Sequence, residues 1–265
     1  LKERVMPTIS AVDPTAPAAP HRLEVKHVAL RELGAALREG WDDLHASRTD
    51  ALTMAVIYPV SAVLVAAVFI VHGLLPFVFP ICAGFALLGP LATLWFAAAS
   101  RKLERGESED EDAYAVPGLG ALQNLSFFIV VLFVVWNVVA AVIYGLTLGS
   151  SSQDGGAGFF ERVFTTTAGW ELIVFGCGAG AVFAVASLGI FFISFPLALD
   201  RPVSAVQAIS LSIQAALVNP VFVLVWGLIV VAGLLAGAVP ALLGIAIVLP
   251  VLGHANWHIY RRMIV

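Results

Sequence analysis

The sequence predicts an all-α fold: a polytopic membrane bundle of six transmembrane helices with two cytoplasmic interfacial amphipathic helices. Three observations predict it. The 265-residue chain is 60% hydrophobic and only 12% charged, where soluble domains run near a quarter charged. Its charges are gathered into short stretches separated by long uncharged runs. An even number of crossings through those runs leaves almost every basic residue on one side. A chain this apolar cannot cover itself with polar surface, so lipid is its natural solvent. The net charge of -4 is modest and argues against a nucleic-acid partner. Cys82 and Cys177 sit inside apolar stretches and read as small packing residues rather than a disulfide framework.

No Asp, Glu, Lys or Arg occurs between Asp50 and Arg101, Asp112 and Asp154, Glu171 and Asp200, or Arg201 and Arg261. A crossing needs roughly 20 apolar residues. The first run therefore holds two spans, Ala51–Leu74 and Phe77–Ala99, broken near His72–Pro76. The second holds Phe127–Leu148 and the third Trp170–Phe195. The fourth opens with a Ser- and Gln-rich stretch and then holds Val221–Gly237 and Pro240–Tyr260. With six spans, 13 of the 14 Lys and Arg residues share the side of the N-terminus, and Arg162 alone lies opposite. By the excess of positive charge in cytoplasmic loops, both termini are expected to be cytoplasmic.

Two further helices lie along the membrane. Leu30, Leu33, Leu37, Trp41 and Leu44 form one stripe, with Arg31, Glu32, Arg38, Glu39, Asp42 and Asp43 around it. The second runs from Arg201 to Asn219, with Asp200 expected to cap its start and Pro202 in its first turn. Its apolar stripe is Val203, Val206, Ile209, Ile213 and Leu217.

The chain divides into a flexible Pro/Ala-rich segment, 1–27, which does not read as a signal peptide, and one membrane domain, 28–265. Within the domain, hairpins 51–99 and 221–260 resemble each other at an offset of 160 residues: Gly73, Pro80, Gly84, Pro90 and Arg101 match Gly233, Pro240, Gly244, Pro250 and Arg261. The even number of intervening spans makes this a parallel repeat, unlike the inverted repeats of many transporters. Chance likeness between two Gly- and Pro-bearing hairpins is the competing reading.

Candidate residues are few. Gly176, Gly180 and Ala184 in the fourth span make a small-residue face for helix packing or a partner contact. Asn137, mid-span, is expected to bond a neighbouring helix. Glu171 reads as an interfacial acid, and no charge falls at mid-depth, which disfavours an ion pump. His254 and His258, one helical turn apart, are the candidates for a metal site, although packing is the plainer reading and no metal or cofactor is assigned. Trp257, Tyr260, Arg261 and Arg262, with Trp41, read as interfacial anchors. The acidic run Glu107–Asp112 reads as a solvated loop or a docking patch.

The segments Ser194–Pro202, Asn219-Pro220 and Pro250–Arg261, with Gly40–Leu44, resemble an uncharacterised bacterial family of integral membrane proteins with a domain of unknown function. Some of its members are labelled as cytochrome c oxidase subunits. That resemblance implies an accessory subunit, since the catalytic subunit needs more intramembrane histidines than this chain has. The sequence and the resemblance together lead to a non-enzymatic accessory or scaffold subunit of a larger bacterial inner-membrane complex, which the resemblance implies to be respiratory, whose partners are lipids and other membrane subunits. The alternative is a carrier or channel for a neutral or amphipathic solute.

Overall fold

The computed structural model describes residues 23–47, 60, 61, 64, 67, 68, 71, 75–106, 116–149, 156–239 and 243–265. Their regular elements are all helices: α1 Arg31–Ala46, α2 Leu75–Leu87, α3 Gly89–Ala92, α4 Leu94–Arg105, α5 Leu119–Thr147, α6 Gly156–Thr165, α7 Thr167–Phe191, α8 Ser194–Asp200, α9 Ala205–Val218, α10 Pro220–Ala238 and α11 Ile245–Met263. The first expected span lies mostly outside the described residues. Its described positions Val60, Leu64, Val68 and Val71 are helical and exposed, on one helical stripe.

Among the described residues, three helical stretches are long and apolar enough to cross a membrane: α5, α7 with α8, and α10. The 29 residues of α5 reach about 43 Å, more than the roughly 30 Å of a hydrocarbon core. Only 17% of its most apolar window is buried in the protein. Phe127, Val134, Val138 and Leu146 point outward, as do Leu224, Leu228 and Leu235 on α10. Such apolar surface is stable against lipid and not against water.

The second expected span is a broken helix, in three pieces. Pro90 has no N–H and its ring crowds the preceding turn, so the backbone ladder cannot run through it; Leu88 and Thr93 flank the four-residue α3. The sixth expected span, α11, is instead a largely buried helix with Pro250 inside it. Its approach to α4 passes over Gly253, where a Cβ would come within 2.9 Å of Phe96 Cβ. The α7–α8 break has a similar cause. Pro196 cannot donate to the Phe192 carbonyl, and Asn256 Nδ2 of α11 does so from 3.1 Å. Ile193 N–H is satisfied by Ser212 Oγ of α9, and Ser194 Oγ donates to the Ala208 carbonyl. Every residue of α8 is buried, which makes it the hub of one end of the bundle.

The surface helices differ from their expected form. α1 lies along α11, burying Leu33, Ala36 and Gly40, while Leu30 and Trp41 stay exposed. In α9 the buried face is Ala205, Ala208, Ser212 and Ala215, and Val206 and Leu217 of the expected stripe face outward. Small side chains let α9 approach α7 and α8 closely, and the large ones are left for lipid. Ser204, not Asp200, caps α9, in a reciprocal box with Gln207, and Pro202 precedes the helix. A short helix, α6, lies in the loop where no element was expected. The end of the segment expected to be flexible is also held: residues 24–26 pair antiparallel with 263–265, and Asn219 at the α9–α10 junction accepts from Val28 N–H and donates to the Lys26 carbonyl. Of the first copy of the expected repeat, most of the first span, with Gly73, lies outside the described residues, while Pro80, Gly84 and Pro90 lie in the broken second span.

Candidate functional site

The polar side chains converge where α1, α4, α8 and the end of α11 meet. Two linked clusters form there, one on each side of α11.

The first joins α11 to α1. His254 is fully buried, with Nδ1 2.8 Å from Ser100 Oγ on α4. The Ser100 hydroxyl donates to Asp43 Oδ2 on α1. That commits its one proton, so His254 Nδ1 carries the proton shared with Ser100. Its Nε2 faces Ser47 Oγ at 3.5 Å. One turn on, His258 points Nε2 at Asp43 Oδ2 (2.8 Å) and Nδ1 at Glu39 Oε2 (3.2 Å). Both ring nitrogens therefore meet acceptors, an arrangement suited to the imidazolium. Arg262 completes the cluster, bonding Glu39 at 2.6 Å and Glu32 at 3.2 Å. Burial by itself would raise the Asp43 pKa, but the hydrogen bonds from His258 and Ser100 and the charges of both histidines outweigh it and hold the carboxyl below its usual range.

The second cluster joins α11 to α4 and α8. Asp200, at the end of α8, accepts from Tyr260 Oη (2.8 Å) and pairs with Arg105 (2.9 Å), Arg201 (3.3 Å) and Arg261 (3.5 Å). Glu104 accepts from Trp257 Nε1 (2.9 Å) and pairs with Arg261 (2.8 Å). Arg101 reaches over α8 to the Leu199 carbonyl. Arg101 and Arg261 thus meet at one end of the bundle. Arg162, the lone basic residue expected opposite, bonds the Leu148 carbonyl beyond the far end of α5.

Several expected site residues change role. His254 and His258 do share a face, but the face is closed by α1, and neither ring turns a free lone pair toward a common point. Among the described residues, no group of three His, Cys, Asp or Glu is placed to hold a metal. His45 stays exposed, bonded to its own helix at Trp41 O. Trp257 and Tyr260 are not exposed anchors: both are 1% exposed, because their polar atoms serve Glu104 and Asp200. Trp41 is half-exposed, as an anchor would be. Arg261 and Arg262 are tied down in ion pairs.

Deeper in the bundle, Asn137 does not bridge helices; Nδ2 donates to Phe133 O of its own helix, leaving the amide beside a shallow hollow lined by Phe77, Ile81 and Val138. The bridge between helices is made by its neighbour. Trp136 is 2% exposed, and its Nε1 donates to Pro80 O of α2 at 2.7 Å. A Cβ at Gly180 of the small-residue face would stand 3.2 Å from the Trp136 ring. Gly176 has nothing within 4 Å of where a Cβ would stand, and Ala184 is exposed. Among the described residues, the face packs inside the protein at Gly180 alone. Glu171 is exposed, as expected.

Sequence reasoning missed Asp43, Ser100, Asp200 and Asn219. Each is a buried or half-buried polar group with a partner 57 or more residues away, and nothing local marks such a pairing. The only local hint lay in their position, at the polar ends of apolar runs.

An all-helical bundle with lipid-grade outer faces and a polar lattice at one end defines an integral membrane protein. Residues 78–200, from α2 to the end of α8, match the family model described as "Predicted integral membrane protein (DUF2189)". Over that segment the chain is similar to this family, in keeping with the resemblance read from the sequence; the description carries no oxidase label. No curated protein and no solved structure matches the chain.

Proposed function

We propose that this protein is a non-catalytic accessory or scaffold subunit of a larger inner-membrane assembly, with a respiratory complex as the first partner to test. In this reading the chain crosses the bacterial inner membrane six times and keeps both termini cytoplasmic. The observation that carries it is the use made of the polar groups. His254, His258, Asp43 and Asp200, the side chains with most chemical potential, are engaged in bonding one helix to another. The outer faces of α5, α7 and α10 are left apolar, open to lipid or to neighbouring helices.

The carrier reading called for a polar cavity around Asn137 and the fourth span. The hollow there has apolar walls, and the Asn137 amide donates to its own helix, which favours the scaffold. Purification of the native protein in mild detergent tests the proposal. A stable co-purifying membrane subunit is expected. Recovery of the chain only as a partner-free monomer, together with solute flux in proteoliposomes, would sink it in favour of the carrier.

A further inference from the structure

A second feature stands apart from the subunit role and rests only on the membrane reading of the fold. Between the ends of α4, α8 and α11 lies a cleft lined by Glu104, Arg105, Asp200, Arg201, Trp257 and Arg261. All but Trp257 are ionisable. Of the two carboxylates, Asp200 points inward, with its side chain 7% exposed and accepting from Tyr260, while Glu104 is 40% exposed and pairs with Arg261. The three guanidinium groups form the rim, with side chains 43%, 44% and 38% exposed for Arg105, Arg201 and Arg261. Three cations thus surround two anions among the described lining residues.

We propose that this rim binds a phosphate group, and that its source is the headgroup of an anionic phospholipid. Guanidinium groups present forked N–H donors that match phosphate oxygens. Basic clefts between helices at the cytoplasmic surface are suited to anionic headgroups. The shared Asp200 carboxylate holds the three side chains converged, so little side-chain entropy remains to be lost on binding.

The test uses the full chain in an uncharged detergent, titrated with phosphatidylglycerol, with phosphatidylcholine of the same acyl chains, and with inorganic phosphate. Bound lipid is counted by native mass spectrometry and melting is followed in parallel. Phosphatidylglycerol is expected to bind about tenfold more tightly than phosphatidylcholine, and Arg201→Gln to lose about tenfold, the worth of one charge-assisted bond. Arg201→Lys should retain most of the binding. Arg31→Gln, which removes a cation 85% exposed on α1, should change nothing. Arg105→Gln serves as a second variant, since Asp200 then keeps two other arginine partners. Displacement of phosphatidylglycerol by millimolar inorganic phosphate would keep the phosphate site and assign it to a soluble phosphate compound. Equal binding of the two lipids, or loss of binding in Arg31→Gln as large as in Arg201→Gln, would overturn the site.

Discussion

The docking of α1 on α11 turns on Gly40. A Cβ at this position would stand 2.7 Å from both Val251 O and Ala255 N. Both are backbone atoms of a helix and cannot swing aside as a side-chain tip would. Ordinary contact begins at 3.4 Å, so Gly40→Ala must push the helices apart by about 0.7 Å, a gap that forfeits a quarter to a half of each contact along the seam. The same shift stretches the Arg262–Glu39 and His258–Asp43 bonds, now 2.6 and 2.8 Å. Alanine would favour the helix by about 1 kcal/mol over glycine. Overpacking at about 1–3 kcal/mol, with weakened charge-assisted bonds on both sides, outweighs that gain. We expect undocking to become easier by about 2 kcal/mol, or roughly thirtyfold. Gly34 is the internal control. It lies on the same helix with nothing within 4 Å, so Gly34→Ala gains the propensity without the clash. Hydrogen exchange of the α1 amides in detergent should speed up in Gly40→Ala and slow down in Gly34→Ala. Exchange slowed equally in both would refute the close-approach argument.

Other outcomes follow from the same contacts. Asp43 is held below its ordinary pKa of about 3.8. Its contribution to α1 docking is therefore full above that pH and is lost as pH falls through the lower folded value; exchange in α1 should show this acid limb, and Asp43→Asn should abolish it. Trp136→Phe keeps most of the ring but loses the bond to Pro80 O, and a cost of about 1 kcal/mol should appear as a lower melting temperature. Asn219→Ala strands Val28 N–H and the Lys26 carbonyl, so exchange at residues 24–28 should rise by about fivefold or more, matching the roughly 1–3 kcal/mol cost of an unsatisfied buried group; unchanged exchange there would show that pairing with residues 263–265 suffices alone.

Much of this protein was legible in one dimension because lipid imposes a one-dimensional rule. Charge-free runs of sufficient length must become helices that satisfy their own backbone; α7 and α10 appear within a few residues of the expected spans, and α5 begins at Leu119, ahead of the expected Phe127. Basic residues expected on one face, Arg101, Arg105, Arg201 and Arg261, do gather at one end. Tertiary structure decided what apolarity alone cannot: which end of a span is wrapped in protein. α11 reads like a span, yet α1 and α4 enclose its polar end, so His254, Trp257 and Tyr260 became interior struts instead of ligands or anchors. The α9 stripe reversed because close packing selects small side chains, a preference that an apolar–polar pattern does not record. Pairings such as Asp43 with His258, or Asn256 with the carbonyl orphaned by Pro196, depend on where distant helix ends meet, and that is set by the packed geometry of the whole bundle.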